Sequence, residues 1–346
     1  MIPLCRPLLP TADALLPYLR EIDANRHYTN FGPLSKRLEE RLAEKYGSPV
    51  VVLNNGTTAL TAALLACKPK HKRVLVPAWT FVASAAAIVA AGMEPYFVDI
   101  DPRRWMPDPQ FNRGEWTRAN VGAMMIVSPF GSPVPAWPWE EWSADTGVPV
   151  IIDAAAGFDS LCDPGRLPQM VSLHATKVLG AGEGGFIVSD SGALLDRIHN
   201  IQNFGGAGST PGMNGKLSEY HAAVALAALD GWEMRRDTLS FISARYARPL
   251  MEKPWVRMVP GFNDGWVSSY CTVLLEGGVG PTQARLAARG IESRRWWGEG
   301  VHTHPAFRLY PHDDLPVTAD LASRCLSLPF SPDMTDDEIE RVCDAL

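Results

Sequence analysis

The sequence predicts an α/β protein: a mostly parallel, doubly wound sheet in a large domain, followed by a smaller C-terminal α+β domain. Two observations carry this. Between residues 50 and 190, short runs that are apolar throughout alternate with helical stretches. Such runs suit strands covered on both faces and joined by helical crossovers. The chain also has 346 residues, more than one ordinary core accommodates, so a second, smaller domain is expected.

The elements follow in order. "LSKRLEERLAEKYG" (34–47) repeats Leu34, Leu38, Leu42 and Tyr46 at helical spacing and ends on Gly47, an amphipathic helix with a glycine stop. "VVVL" (50–53) then leads into "NNGTTALTAALLA", and "RVLV" (73–76) leads through "PAWTF" into "VASAAAIVAAG". "PYFVDID", "AMMIVS" (123–128), "VPVIID" (148–153), "MVSLHA" (170–175) and "GGFIVSD" (184–190) supply further strands. After "HAAVALAALDGWEMRRDTL" the grammar changes to "WVSSYCTVLL", "PTQARLAARGI" and a last helix, "TDDEIERVCDAL". The expected domains are residues 1–235, an N-terminal segment plus the large domain, and residues 236–346, the small one.

The composition excludes several classes. Net charge is −6 and no Lys/Arg run exceeds a few residues, which leaves no footprint for nucleic-acid phosphates. The six cysteines (Cys5, Cys67, Cys162, Cys271, Cys325, Cys343) never fall at C-x-x-C spacing, against a zinc knuckle or an iron–sulfur cluster. "MIPLCRPLLP" lacks a signal-peptide core. "FVASAAAIVAAG" (81–92) is too short to span a bilayer. A reduced cytoplasmic protein without a membrane partner is expected.

In such sheets ligands gather outside the carboxyl ends of the strands. The chemically suggestive residues fall there in turn: Asn54 to Thr58, Trp79 to Phe81, Asp153 and Lys177. A strand turning at Gly56 into a helix offers free N–H groups, the positive dipole end and two hydroxyls, a site for a phosphate dianion. The same pattern also fits Thr57 as a plain helix cap. Asp153, ending an apolar strand, serves either as a loop anchor or as partner of a buried cation. Lys177 directly follows a strand and precedes Gly-Glu-Gly-Gly (182–185), where close backbone approach is expected. Phosphate site, carboxylate and amine on one rim point to pyridoxal phosphate.

The residues resemble the DegT/DnrJ/EryC1/StrS aminotransferases, pyridoxal-phosphate enzymes of fold type I that aminate keto-sugars on nucleotide carriers. The segments that carry the resemblance run in family order along most of the chain. They are "TNFGPLSKRLEERLAEKYG", "NNGTTAL", "VPAWTFVASAAAIVAAGMEPYFVDID", "IDAAAGFD", "SLHATKVLGAGEGGFIV", "NFG", "MNGKLSEYHAAVALAALD" and "LSLPFSPDMTDDEI". The resemblance implies that Lys177 forms the Schiff base and then moves the proton, while Asp153 pairs with the pyridinium. It implies that Gly56, Thr57, Thr58 and Ser172 hold the phosphate and that Phe81 stacks on the ring. Asn214 would reach the phosphate of a neighbouring subunit, making a homodimer part of the site, and Asn30 would touch substrate. Glu183 and His174 are given support roles. Where the family commonly carries Gln or His, this chain has Ala156.

"ESRRWWGEGVHTHPAF" (292–307) sets Arg294 and Arg295 beside Trp296 and Trp297. A guanidinium fork suits a diphosphate and an indole suits a base or sugar, while the same residues also make an ordinary packing patch. His302 and His304 read as core or loop histidines, and no metal site is expected.

The resemblance implies transfer of an amino group from L-glutamate to a nucleotide-linked keto-6-deoxy-sugar. "RRWWG" and the whole-chain pattern favour C4 of a dTDP-4-keto-6-deoxyhexose, in amino-sugar routes such as lipopolysaccharide O-antigen biosynthesis. A 3-keto sugar, a GDP- or UDP-linked sugar and a cyclitol ketone are the alternatives. Lys177 argues against the relatives that dehydrate with histidine in its place, and the presence of Lys177 and Asp153 argues against a non-catalytic regulatory relative.

Overall fold

The computed structural model describes residues 1–110, 120–161 and 163–346, so Cys162 lies outside the described residues. Two helices come first, α1 (Ala12–Asn25) and α2 (Pro33–Tyr46). α2 buries Leu34, Leu38 and Leu42 and stops at Gly47, whose φ of +65° suits a residue without a Cβ. The α/β region follows as β1 (Val50–Leu53), α3 (Gly56–Cys67), β2 (Arg73–Pro77), α4 (Val82–Ala90), β3 (Glu94–Val98) and β4 (Val121–Val127). It continues with α5 (Trp137–Thr146), β5 (Val150–Asp153), β6 (Gln169–Ser172), β7 (Gly185–Val188), α6 (Gly192–Gln202), α7 (Phe204–Gly208) and α8 (Glu219–Asp230). Every apolar run named between residues 50 and 190 contains a strand, with several strands shorter than the run.

These strands form one sheet of seven in the order β1-β7-β6-β5-β4-β2-β3. The pairs β2–β3, β2–β4, β4–β5 and β5–β6 are parallel, while β7 runs antiparallel to both β1 and β6. The apolar runs lack alternation for a concrete reason. Along β4 and β5, Met124, Ile126 and Ile152 enter one core with α2, α5 and α8, whereas Ala123, Met125 and Ile151 enter another with α3, α4 and α6. Both faces are dry, so both must be apolar.

A 20-residue helix, α9 (Trp232–Met251), leads into the C-terminal portion. There β8 (Val256–Met258), β9 (Cys271–Leu275), α10 (Val279–Ala288), α11 (Pro316–Arg324), β10 (Cys325–Leu328) and α12 (Asp336–Cys343) complete the chain. The three strands form an antiparallel sheet ordered β10-β9-β8. Thr335 and Glu338 close a reciprocal capping box on α12. The first residues of the chain belong spatially here: Ile2 bridges Ile291, Leu4 accepts from the Phe330 N–H, and Arg6 grips Glu338 through both terminal nitrogens, at 2.9 and 2.8 Å. Among the described residues no helix is long and apolar enough to cross a membrane.

Candidate active site

The carboxyl ends of β1, β2, β4, β5 and β6 open onto one cavity of about 880 Å³, a size typical of small-molecule sites. At the start of α3 it is Asn55, not Thr57, that caps the helix, its side chain accepting from the Thr58 N–H at 2.8 Å. The Thr57 alternative thus falls to its neighbour, and Gly56, Thr57 and Thr58 line the cavity with Ser172. Gly185 explains how the strand and this helix come so close. A Cβ there would lie 2.8 Å from the Gly56 nitrogen, so only a bare backbone lets β7 pass under the first turn of α3.

Asp153 is the last residue of β5 and is 5% exposed. Its Oδ2 accepts from Ser84 Oγ at 2.6 Å and its Oδ1 from the Ala155 N–H at 3.1 Å, while Ser84 shares a 2.7 Å bond with Thr80. Burial pushes the carboxyl up, opposed by the Ser84 hydrogen bond, the Ala155 N–H and the Lys177 charge in that order. A buried carboxylate held by two hydrogen bonds gains from a cationic partner that offsets its lost hydration. The ring nitrogen of a protonated pyridine is such a partner.

Lys177 sits in the loop between β6 and β7. That loop is pinned by Leu173 N–H to Gly184 O (2.9 Å), Ala175 N–H to Gly182 O (2.9 Å) and Ala181 N–H to Leu173 O (2.7 Å). A Cβ on Gly180 would lie 2.7 Å from the Ala175 carbonyl oxygen, so the backbone crowds in behind the lysine. The Lys177 Nζ donates to Tyr270 Oη at 2.8 Å. Sequence reasoning missed Tyr270, which it placed only in a small-domain strand. No local signal marks it, because aromatic residues are common in and beside strands for packing reasons.

Phe81, at the N-cap of α4, is 49% exposed and lines the cavity. His174 and Glu183 also line it, with the His174 Nε2 3.9 Å from a Glu183 carboxylate oxygen. Ala156 lines it as well, and offers no polar side chain. From the C-terminal portion come Arg294, Trp296 and Trp297. The Arg294 guanidinium lies 4.4 Å from the Trp296 ring centroid, and Trp297 stacks on Phe130 at 4.3 Å.

Three expected residues are not brought together with these. Arg295 turns to the other side of the segment, where one terminal nitrogen donates to Glu299 and to the Ala322 carbonyl, so the diphosphate role read for it from the sequence is corrected: its side chain does not line the cavity. Asn214 pairs with Asn203 and accepts through its carbonyl from Asn54, away from the cavity of its own chain. Asn30 is exposed in the turn between α1 and α2, with φ +63°. The His302 ring lies 5.5 Å from that of His312, and among the described residues no three His, Cys, Asp or Glu side chains are grouped to hold a metal.

A helix N-terminus, a buried carboxylate and a framed amine on the rim of a mostly parallel sheet together suit pyridoxal phosphate. The sequence pattern of the DegT/DnrJ/EryC1/StrS aminotransferase family matches residues 11–346, and this chain belongs to that family. It is similar to the protein Rv3402c of Mycobacterium tuberculosis (strain ATCC 25618 / H37Rv), with 34% identity over all of this chain (100%) and 89% of that one. It is also similar to the dTDP-4-amino-4,6-dideoxy-D-glucose transaminase of Shigella dysenteriae, 29% identical over 97% of this chain and 96% of that one. Among solved structures, DesI in the presence of its TDP-sugar product superposes with a TM-score of 0.89 at 30% identity, covering 98% of this chain and 90% of that one.

Proposed function

We propose that this enzyme moves the amino group of L-glutamate onto a nucleotide-linked keto-6-deoxy-sugar, at C4 of a dTDP-4-keto-6-deoxyhexose, and that it works in the cytoplasm as a homodimer. The observation that carries the reading is the company Lys177 keeps. Arg294 and Trp296 line the same cavity as Lys177 and Asp153, which sets a guanidinium and an indole face where a nucleoside diphosphate has to be recognised. The relatives named for dTDP-sugar chemistry favour the same substrate class.

In this reading the N–H groups of the first turn of α3, with the Thr57, Thr58 and Ser172 hydroxyls, take the cofactor phosphate. Phe81 would cover one face of the ring, and Asp153 would keep the ring nitrogen protonated. When bound, pyridoxal phosphate supplies an electron sink for the carbon that loses its proton. Lys177 Nζ takes that proton from the donor and returns one to the acceptor carbon. Arg294 orients the anionic end of the substrate, and Trp296 covers apolar surface beside it. Asn214 reaches the cofactor phosphate of the partner's site, and Asn30 touches substrate; the Glu219 N–H bonds the Tyr28 carbonyl at 3.0 Å, so the chain just before Asn30 and the chain after Asn214 lie in contact.

The test is amination of dTDP-, GDP- and UDP-linked 4-keto and 3-keto sugars with glutamate, with products identified by mass spectrometry. Turnover of the dTDP-4-keto-6-deoxy substrate is expected. Turnover of none by the cofactor-loaded enzyme sinks the sugar assignment, and preference for a 3-keto sugar moves the aminated carbon.

A further inference from the structure

The Lys177 ammonium donates to one phenol, Tyr270 Oη, at 2.8 Å, and Nζ lies 5.2 Å from the same ring's centroid. Among the described residues the Tyr270 hydroxyl has no other hydrogen-bond partner. The phenol comes from the C-terminal portion, 93 residues along the chain from the lysine it meets.

Tyr270 is itself firmly seated. Its N–H donates to Ser268 Oγ at 3.1 Å, and Ser268 Oγ donates to the Phe130 carbonyl at 2.6 Å. The Tyr270 ring meets Phe130 edge-on at 5.7 Å and Trp296 at 5.5 Å. Phe130 is 4% exposed and held at φ +54°, a left-handed conformation that a bulky residue adopts only where its surroundings impose it. A lysine amine on a four-carbon stem is otherwise free to wander, so a rigidly placed acceptor fixes its direction before chemistry begins.

We propose that Tyr270 is a positioning residue for Lys177. Its phenol oxygen holds the ε-amine at the cavity whenever that nitrogen is not bonded to the cofactor, so that the amine is in place both to capture the cofactor and to move the proton. The inference rests on the aminotransferase reading above and adds a residue to it.

Tyr270→Phe keeps the ring and removes only the oxygen. Apoprotein carrying it is expected to bind pyridoxal phosphate with a dissociation constant within about twofold of wild type. The borohydride-trappable bond to Lys177 then forms about 10- to 100-fold more slowly, with kcat lowered similarly and the KM for glutamate kept within about twofold. In a Lys177→Ala background rescued by added methylamine, the same substitution is expected to change the rate less than about twofold, since no tethered amine remains to be positioned. Capture and kcat within about twofold of wild type overturn the proposal. So does an equal loss in the Lys177→Ala background, or a loss that tracks falling cofactor affinity and melting temperature. Wild-type holoenzyme that traps no cofactor on Lys177 overturns the underlying reading instead, which keeps the two failures apart.

Discussion

Ser84 Oγ donates a 2.6 Å hydrogen bond to Asp153 Oδ2, tying the first turn of α4 to the end of β5 beneath the cavity. It is the strongest influence that holds the Asp153 carboxyl down against burial, which pushes it up. A carboxyl raised by folding binds its proton more tightly folded than unfolded. Its contribution to stability is therefore greatest below the ordinary aspartate pKa and falls as pH rises toward the raised value.

Asp153→Asn removes that buried charge. The apoprotein is expected to melt no lower than wild type near neutral pH, while transamination falls by about a hundredfold or more because the ring nitrogen loses its anionic partner. Ser84→Ala keeps the charge and removes its donor, and weakens cofactor binding by about tenfold, as loss of a hydrogen bond to a charged group does. Melting curves of the apoprotein and cofactor titrations separate the two effects. An Asp153→Asn apoprotein clearly less stable than wild type at neutral pH would contradict the electrostatic account.

Gly185→Ala tests the crowding of β7 under α3. The added Cβ would stand 2.8 Å from the Gly56 nitrogen and 2.9 Å from the Asn55 carbonyl carbon, both backbone atoms that cannot rotate away. Moving them costs about 1–3 kcal/mol and shifts the N–H groups that face the cofactor phosphate. Both a lowered melting temperature and a weakened affinity for pyridoxal phosphate are expected. Lowered stability with unchanged affinity would show that the turn of α3 does not receive the phosphate.

The sheet was legible because its strands are apolar on both faces, and Lys177 and Asp153 because each stands at the end of such a strand. What the sequence hid depends on direction or on distance along the chain. Adjacent Arg294 and Arg295 read alike, yet one guanidinium reaches the cavity and the other bonds Glu299 and Ala322. Ser84 is embedded in an alanine-rich helix whose spelling says only that it packs. Asn55 and Thr57 are equally good caps on paper, and only the turn geometry chooses Asn55. Tyr270 reaches Lys177 from a strand start far down the chain, where no spacing rule applies. The reversal of β7 likewise leaves no mark, since antiparallel and parallel buried strands share one composition.

Glu39 is the most accessible probe of pH dependence outside the site. From α2 it accepts the Val52 N–H of edge strand β1 at 3.0 Å, and burial pushes its carboxyl up to about 7. Because the folded value lies above the ordinary 4.5, this group's contribution to stability is fully present at low pH and is lost as pH rises through about 7. Glu39→Gln preserves an oxygen to accept from Val52 and never ionises. At pH well above 7 the variant is expected to melt about 1–2 °C higher than wild type, a shift corresponding to roughly 1 kcal/mol in a chain of this size. Below the ordinary carboxyl value of 4.5 the difference should vanish, since wild-type Glu39 is then protonated in the folded and the unfolded chain alike. A gain that is constant across that range, or that grows on acidification, would mean that the charge of Glu39 is not what limits the packing of α2 on β1.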